Sequence, residues 1–438
     1  MDKYAVSNIY GQIKNSDVLK VAVPGSKSIT NRALLLATLA KGRTKLSGVL
    51  FSDDSRHFLE CVKDLGVDIE ISEEKREVVI EGCNGVIPKD EASIYVGSAG
   101  TAARFLTATL GVSRGRFFLD SSEQMKKRPM APLLDSLKEL GCKVEYADGA
   151  NEGHFPFMLV SDGFGKDNIK INIDSSSQFL SALMIASVLS SSDFTVNVEG
   201  SHGMAYIDMT GKMMAQFGVK TEKKEDNGIS YVTTAGQNYV GMDYDIEPDA
   251  SGAAYFYAMC PLLNIPVCVP GIHFDSLQGD VGFIKILEQM GCVAMDEKEG
   301  IVLTPPADGK IKGITVDMSS CSDQAITLAA IAPFAENMVT ITGIGHIRLQ
   351  ESDRLSAIAT ELAKMGIKVD EGEDCITIYP GKPQPSIVKT YDDHRMAMGF
   401  SLIGLRSDGI VIDDPMCCRK TFEDYFDKLD DVVKMLKN

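Results

Sequence analysis

The stretch Val21-Ala22-Val23-Pro24-Gly25-Ser26-Lys27-Ser28-Ile29-Thr30-Asn31-Arg32-Ala33-Leu34-Leu35-Leu36-Ala37 reads as a short apolar strand that runs through Pro-Gly into a helix. Ser26, Lys27 and Ser28 open the helix, and the run of Ile, Leu and Ala that follows leaves little polar face, so the helix is expected to be buried. Its unpaired N–H groups and positive dipole end lie beside two hydroxyls and two cations, Lys27 and Arg32, little more than a turn apart. Such a place favours an anion. A capped helix with one surface lysine would account for Ser26 and Lys27 taken alone. A phosphate loop of the form G-x-x-x-x-G-K-[ST] does not fit, because the position five residues before Gly25 is Lys20. Whether the stretch is a cap or a binding site turns on whether the chain repeats it.

At 438 residues the chain exceeds one ordinary core, so two domains or a repeat array are expected. With 44% hydrophobic and 24% charged residues it has the composition of a soluble globular protein. The net charge of -17 argues against a general nucleic-acid or membrane-surface binder, although a local basic pocket is compatible with it. No run of about 18 apolar residues occurs and Met1-Asp2-Lys3-Tyr4-Ala5-Val6 starts like a strand rather than a signal peptide, so a cytoplasmic location is expected. The ten cysteines form no C-x-x-C and the six histidines no H-x-x-x-H, so reduced core thiols and no metal or other cofactor are expected.

One phrase recurs along the chain: a helix ending in a bulky apolar residue, then Gly, then a strand. It occurs at Leu65-Gly66, Leu140-Gly141, Phe217-Gly218, Met290-Gly291 and Met365-Gly366, with glycine spacings of 75, 77, 73 and 75, and the terminal Val433-Lys434-Met435-Leu436 falls where a sixth would end. Each glycine is placed as a left-handed residue closing an amphipathic helix. Between these lie six helices apolar on nearly every face, starting near Ser28, Thr101, Gln178, Ser251, Gln324 and Arg395 at spacings of 73, 77, 73, 73 and 71. Strands are expected after each, at 44–49, 116–119, 194–198, 266–269, 339–342 and 410–412. The unit is strand, buried helix, strand, exposed helix, strand, strand. Six units fit two domains of three better than one of six, with seams at Asp243 to Asp249 and at Pro24-Gly25.

Every buried helix has a polar start: Ser26 to Arg32, Gly97-Ser98-Ala99-Gly100-Thr101-Ala102-Ala103-Arg104, Asp174-Ser175-Ser176-Ser177-Gln178, Glu247-Pro248-Asp249-Ala250-Ser251, Ser322-Asp323-Gln324 and Asp392-Asp393-His394-Arg395. Capping explains the Ser and Asp residues but not Lys27, Arg32, Arg104, His394 and Arg395. The exposed helices are expected to start at Arg128-Pro129, at Gln350-Glu351-Ser352-Asp353-Arg354 and at Arg419-Lys420-Thr421, with Pro129 in a first turn. Cations there oppose the dipole unless an anion is bound. Many cations and few counter-carboxylates describe a site for a phosphorylated or carboxylated small molecule, with Asp323 and Glu351 as acid and base.

Pro24-Gly25-Ser26-Lys27-Ser28 with Asn31-Arg32-Ala33-Leu34, Gly97 to Arg104, Arg128-Pro129-Met130, Ser176-Ser177-Gln178-Phe179, Glu351-Ser352-Asp353-Arg354, Asp393-His394-Arg395-Met396 and Lys420-Thr421-Phe422, taken in order, resemble the 5-enolpyruvylshikimate-3-phosphate synthase family along essentially the whole chain. The resemblance implies an α/β fold, a two-domain inside-out α/β barrel in which each domain has three βαβαββ repeats with buried helices. The domains would be 1–24 plus 247–438, and 25–246, with the active site in the cleft and closure excluding water. It implies transfer of the enolpyruvyl group of phosphoenolpyruvate to the 5-hydroxyl of shikimate 3-phosphate, with release of phosphate, by a cytoplasmic monomer without metal or organic cofactor. Neither nucleic acid nor membrane would be a partner. Carried over by motif, Lys27, Ser28, Arg32, Ser176, Ser177, Gln178 and Asp323 would hold shikimate 3-phosphate. Lys27, Gly100, Arg128, Gln178, Arg354, Arg395 and Lys420 would hold phosphoenolpyruvate. Asp323 would take the proton of the 5-hydroxyl and Glu351 would protonate the methylene carbon, with Lys27 touching both substrates.

The sequence departs from the family pattern at Gln350, where Lys is usual, at Phe105, where many members have Pro, at Ser98 in place of a common Asn, and at His346 in place of Asn in some members. The spacing in Gly200 to Tyr206 is altered, so that Ser201 is the candidate for a family serine contact. These departures bear on affinity and on inhibition by glyphosate, which retention of Gly100 leads one to expect. Two other readings are an enolpyruvyl transferase acting on UDP-N-acetylglucosamine and a non-catalytic anion-binding relative. The first lacks its usual Cys between Gly111 and Lys127, and retention of Asp323 with Glu351 speaks against the second.

Overall fold

A computed structural model describes residues 3–14, 17–200, 203–226 and 228–438. Ser201 therefore lies outside the described residues. Its contacts divide the chain into one unit of residues 1–24 and 247–438 and another of residues 25–246. The architecture is α/β, with six small sheets among the described residues and a helix before and after the second strand of nearly every repeat.

In the unit of residues 25–246, the first buried helix spans Lys27–Leu39. Ser26 caps it by accepting from the Ile29 N–H, and eleven of its thirteen residues are buried. The second spans Gly100–Gly111, buried throughout, and the third Gln178–Ala186, in which only Gln178 is partly open. Each is followed by a strand, at Lys41–Ser47, Gly115–Asp120 and Phe194–Glu199. In each sheet that strand pairs parallel on one side and antiparallel on the other, as Gly115–Asp120 does with Glu91–Tyr95 and Phe157–Ser161. Phe157, Leu159 and Ser161 point inward in alternation, the period that places one face of a sheet on a helical core. In the first sheet the parallel neighbour comes from the far end of the unit: Asp243–Asp245 pairs with Lys45–Ser47.

The unit of residues 1–24 and 247–438 is closed in the same way by its N-terminal segment. Leu19–Lys20 pairs parallel with Val267–Cys268, and Lys3–Ala5 pairs antiparallel with Ile410–Asp413. Its buried helices span Ala250–Leu263, Ala325–Ile331 and His394–Gly404 around one apolar core. Two sequence expectations need correction. The strand before Pro24 lies at Leu19–Lys20 rather than Val21–Val23, although the Val21 N–H still donates to the Cys268 carbonyl. The fifth buried helix begins as a 3₁₀ turn, Ser322–Gln324, and turns α-helical only at Ala325.

The exposed helices end as their sequence phrase predicts. Gly66, Gly141, Gly218, Gly291 and Gly366 have φ of +86°, +99°, +93°, +110° and +77°, one residue beyond each helix cap. None of the ten cysteines is in a disulfide. Among the described residues no helix is long and apolar enough to cross a membrane.

Candidate active site

Each unit gathers its helix starts into a set of polar side chains. In the unit of residues 25–246 the centre is Arg32, only 2% exposed. Its Nε donates to Thr210 Oγ1 at 2.8 Å, one Nη to the Ser28 carbonyl at 3.0 Å, and the other to the Tyr206 carbonyl at 3.2 Å and Ser181 Oγ at 3.4 Å. The guanidinium also lies over the rings of Phe105 and Tyr206. Burial lowers its pKa to about 10, which still leaves it charged at neutral pH. Among the described residues none of these partners is a carboxylate, so the buried charge of Arg32 is met there only by neutral oxygens and rings.

Lys27, the first residue of that helix, reaches Asp54 Oδ2 at 2.5 Å. Asp54 is buried in the first turn of Asp53–Asp64, where it also complements the dipole. Ser28 and Ser176 are half-buried, and Ser177 is buried. Gln178 is held from two sides: its Nε2 donates to Thr101 Oγ1 at 3.2 Å, and its Oε1 accepts from Arg104 at 3.0 Å. The second and third buried helices thus fix each other's starts. Gly100 explains why its position has no side chain, since a Cβ there would stand 2.6 Å from an Arg128 Nη and 2.8 Å from an Arg104 Nη. Arg128 and Arg104 converge on this backbone.

In the other unit the organising group is Arg354, again 2% exposed, the first residue of helix Arg354–Lys364. It donates from Nε to Asp393 Oδ2 at 2.8 Å, from Nη1 to Asp323 Oδ1 at 3.1 Å and from Nη2 to Glu351 Oε2 at 2.8 Å, and it also bonds Gln350 Oε1. Burial alone would lower its pKa, but Asp393, Glu351 and Asp323 outweigh that and raise it, so it is permanently charged. Asp393, fully buried, also caps the sixth buried helix by accepting from the Arg395 N–H and takes the Ser352 hydroxyl. Arg395 donates to Asp323 Oδ2 at 2.8 Å, so the two oxygens of Asp323 rest on two guanidinium groups. Asp323 and Glu351 remain 16% and 19% exposed, open enough to meet a ligand. Lys420 lies 3.6 Å from Asp392 Oδ2. His346 bonds Ser322 at 2.7 Å through Nε2, and burial lowers its pKa, which keeps the ring neutral at pH 7.

The structure brings Lys27, Ser28, Arg32, Gly100, Arg128, Ser176, Ser177 and Gln178 into one unit and Asp323, Glu351, Arg354, Arg395 and Lys420 into the other. Three site expectations change. Counter-carboxylates are not few: Asp54, Asp392 and Asp393 pair with Lys27, Lys420 and Arg354. Pro129 precedes its helix, which is Ala131–Glu139 with Pro132 in the first turn. Lys420 ends a 3₁₀ turn, Pro415–Lys420, well before the helix Tyr425–Lys437. Sequence reasoning left out Asp54 and Thr210, named Thr101 only as a helix start and Asp393 only within motifs, and singled out Arg104 as a cation that capping does not explain without giving it a partner. Asp54 and Asp393 read as ordinary helix-start acids, and their pairing with cations distant in sequence has no local signal.

A family model described as EPSP synthase (3-phosphoshikimate 1-carboxyvinyltransferase) matches residues 15–429. The 3-phosphoshikimate 1-carboxyvinyltransferase of Trichormus variabilis is 41% identical over 407 residues, 93% of this chain and 94% of its own. That of Photobacterium profundum is 42% identical over 414 residues, 94% and 95% of the two chains. The solved structure of EPSP synthase from Acinetobacter baumannii is similar with a TM-score of 0.80 at 25% identity, covering 98% of this chain and 97% of that one. A match that runs through all the helix starts described above, at this identity and coverage, means that the chain belongs to the EPSP synthase (3-phosphoshikimate 1-carboxyvinyltransferase) family.

Proposed function

We propose that the chain moves the 1-carboxyvinyl group of phosphoenolpyruvate to the 5-hydroxyl of shikimate 3-phosphate and releases phosphate, and that both polar sets serve this one substrate pair. The observation that carries the residue assignment is Asp323 seated on Arg354 and Arg395, with Glu351 on the same Arg354. Two part-open carboxylates fixed on one guanidinium framework are suited to opposite proton transfers in one reaction.

In this reading Asp323 accepts the proton of the 5-hydroxyl as its oxygen bonds to C2 of phosphoenolpyruvate. Glu351 gives a proton to the methylene carbon, which becomes a methyl group, and a tetrahedral adduct results. In the second stage Glu351 takes a proton back from the methyl group, the C2–O bond to phosphate breaks as Asp323 returns its proton to the departing phosphate, and the C=C double bond returns. Lys27, Arg128, Arg354, Arg395 and Lys420 neutralise the carboxylate and phosphate of phosphoenolpyruvate, with Gly100 and Gln178 shaping its seat. Arg32, Ser28, Ser176, Ser177 and Gln178, with Lys27 and Asp323, hold shikimate 3-phosphate. That the partners of the buried Arg32 guanidinium among the described residues are all neutral supports a phosphate partner there. The same reading makes the protein a cytoplasmic monomer that uses neither metal nor organic cofactor.

The test is phosphate release from phosphoenolpyruvate with shikimate 3-phosphate as acceptor, set beside UDP-N-acetylglucosamine. Release with the first only is expected, with kcat falling about 10²- to 10⁴-fold in Asp323→Asn while phosphoenolpyruvate still binds. Release with the second acceptor, or an unaffected Asp323→Asn, overturns the assignment.

A further inference from the structure

Asp280 sits behind the Asp323 base and belongs to none of the motifs discussed above. It lies in the 3₁₀ turn Gly279–Val281 and is 6% exposed. The turn is pinned to the start of the fourth buried helix. Gln278 Oε1 accepts from the Ala250 N–H at 2.9 Å, and its Nε2 donates to the Pro248 carbonyl at 2.7 Å. Asp280 Oδ2 accepts from Gln324 Nε2 at 3.1 Å, and Gln324 adjoins Asp323 in the chain. The same oxygen takes the Ser251 hydroxyl, and Ser251 Oγ in turn lies 3.4 Å from the Arg395 Nη2 that holds Asp323 at 2.8 Å. One buried carboxylate is therefore tied by two routes to the group proposed to take the substrate's proton. Facing it are Asp323 from the Ser322–Gln324 turn, the thiol of Cys321 just before that turn, Arg395 from the sixth buried helix, and the Ser251 hydroxyl from the fourth.

We infer that Asp280 is a positioning residue that sets the basicity of Asp323, by placing a second negative charge behind it and by sharing Arg395 with it through Ser251. The inference rests on the reading of Asp323 as the proton acceptor. Two carboxylates facing one guanidinium repel, so each holds a proton more tightly than it would alone. Burial first, and Asp323 second, raise the pKa of Asp280 to about 6, against opposition from Arg395. The sign for Asp323 follows: with Asp280 ionised, Asp323 is the stronger base, and without that charge it is the weaker one.

The test is the pH dependence of kcat with both substrates saturating. Asp280→Asn keeps an amide oxygen for Gln324 and Ser251 but removes the charge. The acid limb of kcat should move about one pH unit lower, and the plateau should fall about fivefold. Asp280→Glu should return the limb towards its wild-type position. A merely structural Asp280 would change melting temperature and leave the limb in place, which overturns the inference. Should Asp280→Asn fail to fold, the reciprocal measurement decides: in ¹³C-aspartate-labelled protein, the Asp280 carboxyl must titrate lower in Asp323→Asn than in wild type. An unmoved titration overturns the inference. Full turnover in Asp323→Asn would instead overturn the base assignment, so the two failures are distinct.

Discussion

Gly100 shows how one missing atom can arrange two charges. A Cβ at this position would meet Arg128 and Arg104 at 2.6 and 2.8 Å, and both obstacles are the ends of flexible side chains. Gly100→Ala should therefore leave the fold intact and displace the guanidinium groups instead. The expected result is a KM for phosphoenolpyruvate raised about 10- to 100-fold, with kcat within about threefold and an unchanged melt. An unchanged KM would mean that these arginines do not serve that substrate. At this scale the cations were legible, because Arg or Lys at a helix start opposes the dipole and so calls for an explanation. Their carboxylate partners were not. Asp393 looks like a helix cap and is one, yet its second oxygen carries Arg354 from a residue 39 positions away. Gln350 likewise stands out as a departure in sequence, and only the structure shows its oxygen taken up by Arg354.

At the scale of single elements, the glycine that follows each exposed helix was the most readable signal, because it reports a backbone state rather than a contact. All five glycines have positive φ. Gly366 isolates that effect, since the nearest atom to an added Cβ would be Gln384 Cγ at 3.6 Å, an ordinary contact. Gly366→Ala should cost about 1–2 kcal/mol in urea denaturation, and Gly366→Asn distinctly less, because asparagine tolerates the left-handed region. Equal losses for the two would point to packing rather than φ as the cause. Short strands were less readable. Val21–Val23 is as apolar as the strand that was expected there, but the ladder that it would join, Val267–Cys268, is two residues long and is matched by Leu19–Lys20. Apolar periodicity marks burial, and over two residues it cannot fix which pair is in register.

For the whole molecule, the sixfold repeat was legible as periodicity, but sheet closure was not, because it pairs segments far apart in the chain. In the unit of residues 25–246 the first sheet takes its parallel edge from Asp243–Asp245, about 200 positions beyond its partner Lys45–Ser47. Tyr244 there is buried, packs its ring at a tilt against that of Phe217 and donates its hydroxyl to Gln216. Every sheet of this unit is thus completed from within one continuous segment, whereas the other unit borrows Lys3–Ala5 and Leu19–Lys20 from across the sequence. A fragment of residues 25–246 should therefore fold alone, with a cooperative urea transition and native-like circular dichroism. Ending the fragment at Val240 removes the closing strand and Tyr244, and should cost about 3–5 kcal/mol, the scale of losing a large buried aromatic side chain. If both fragments unfold at the same urea concentration, closure by Asp243–Asp245 does not stabilise the unit. If the longer one fails to fold, its stability depends on the rest of the chain, and the self-contained sheet set is insufficient.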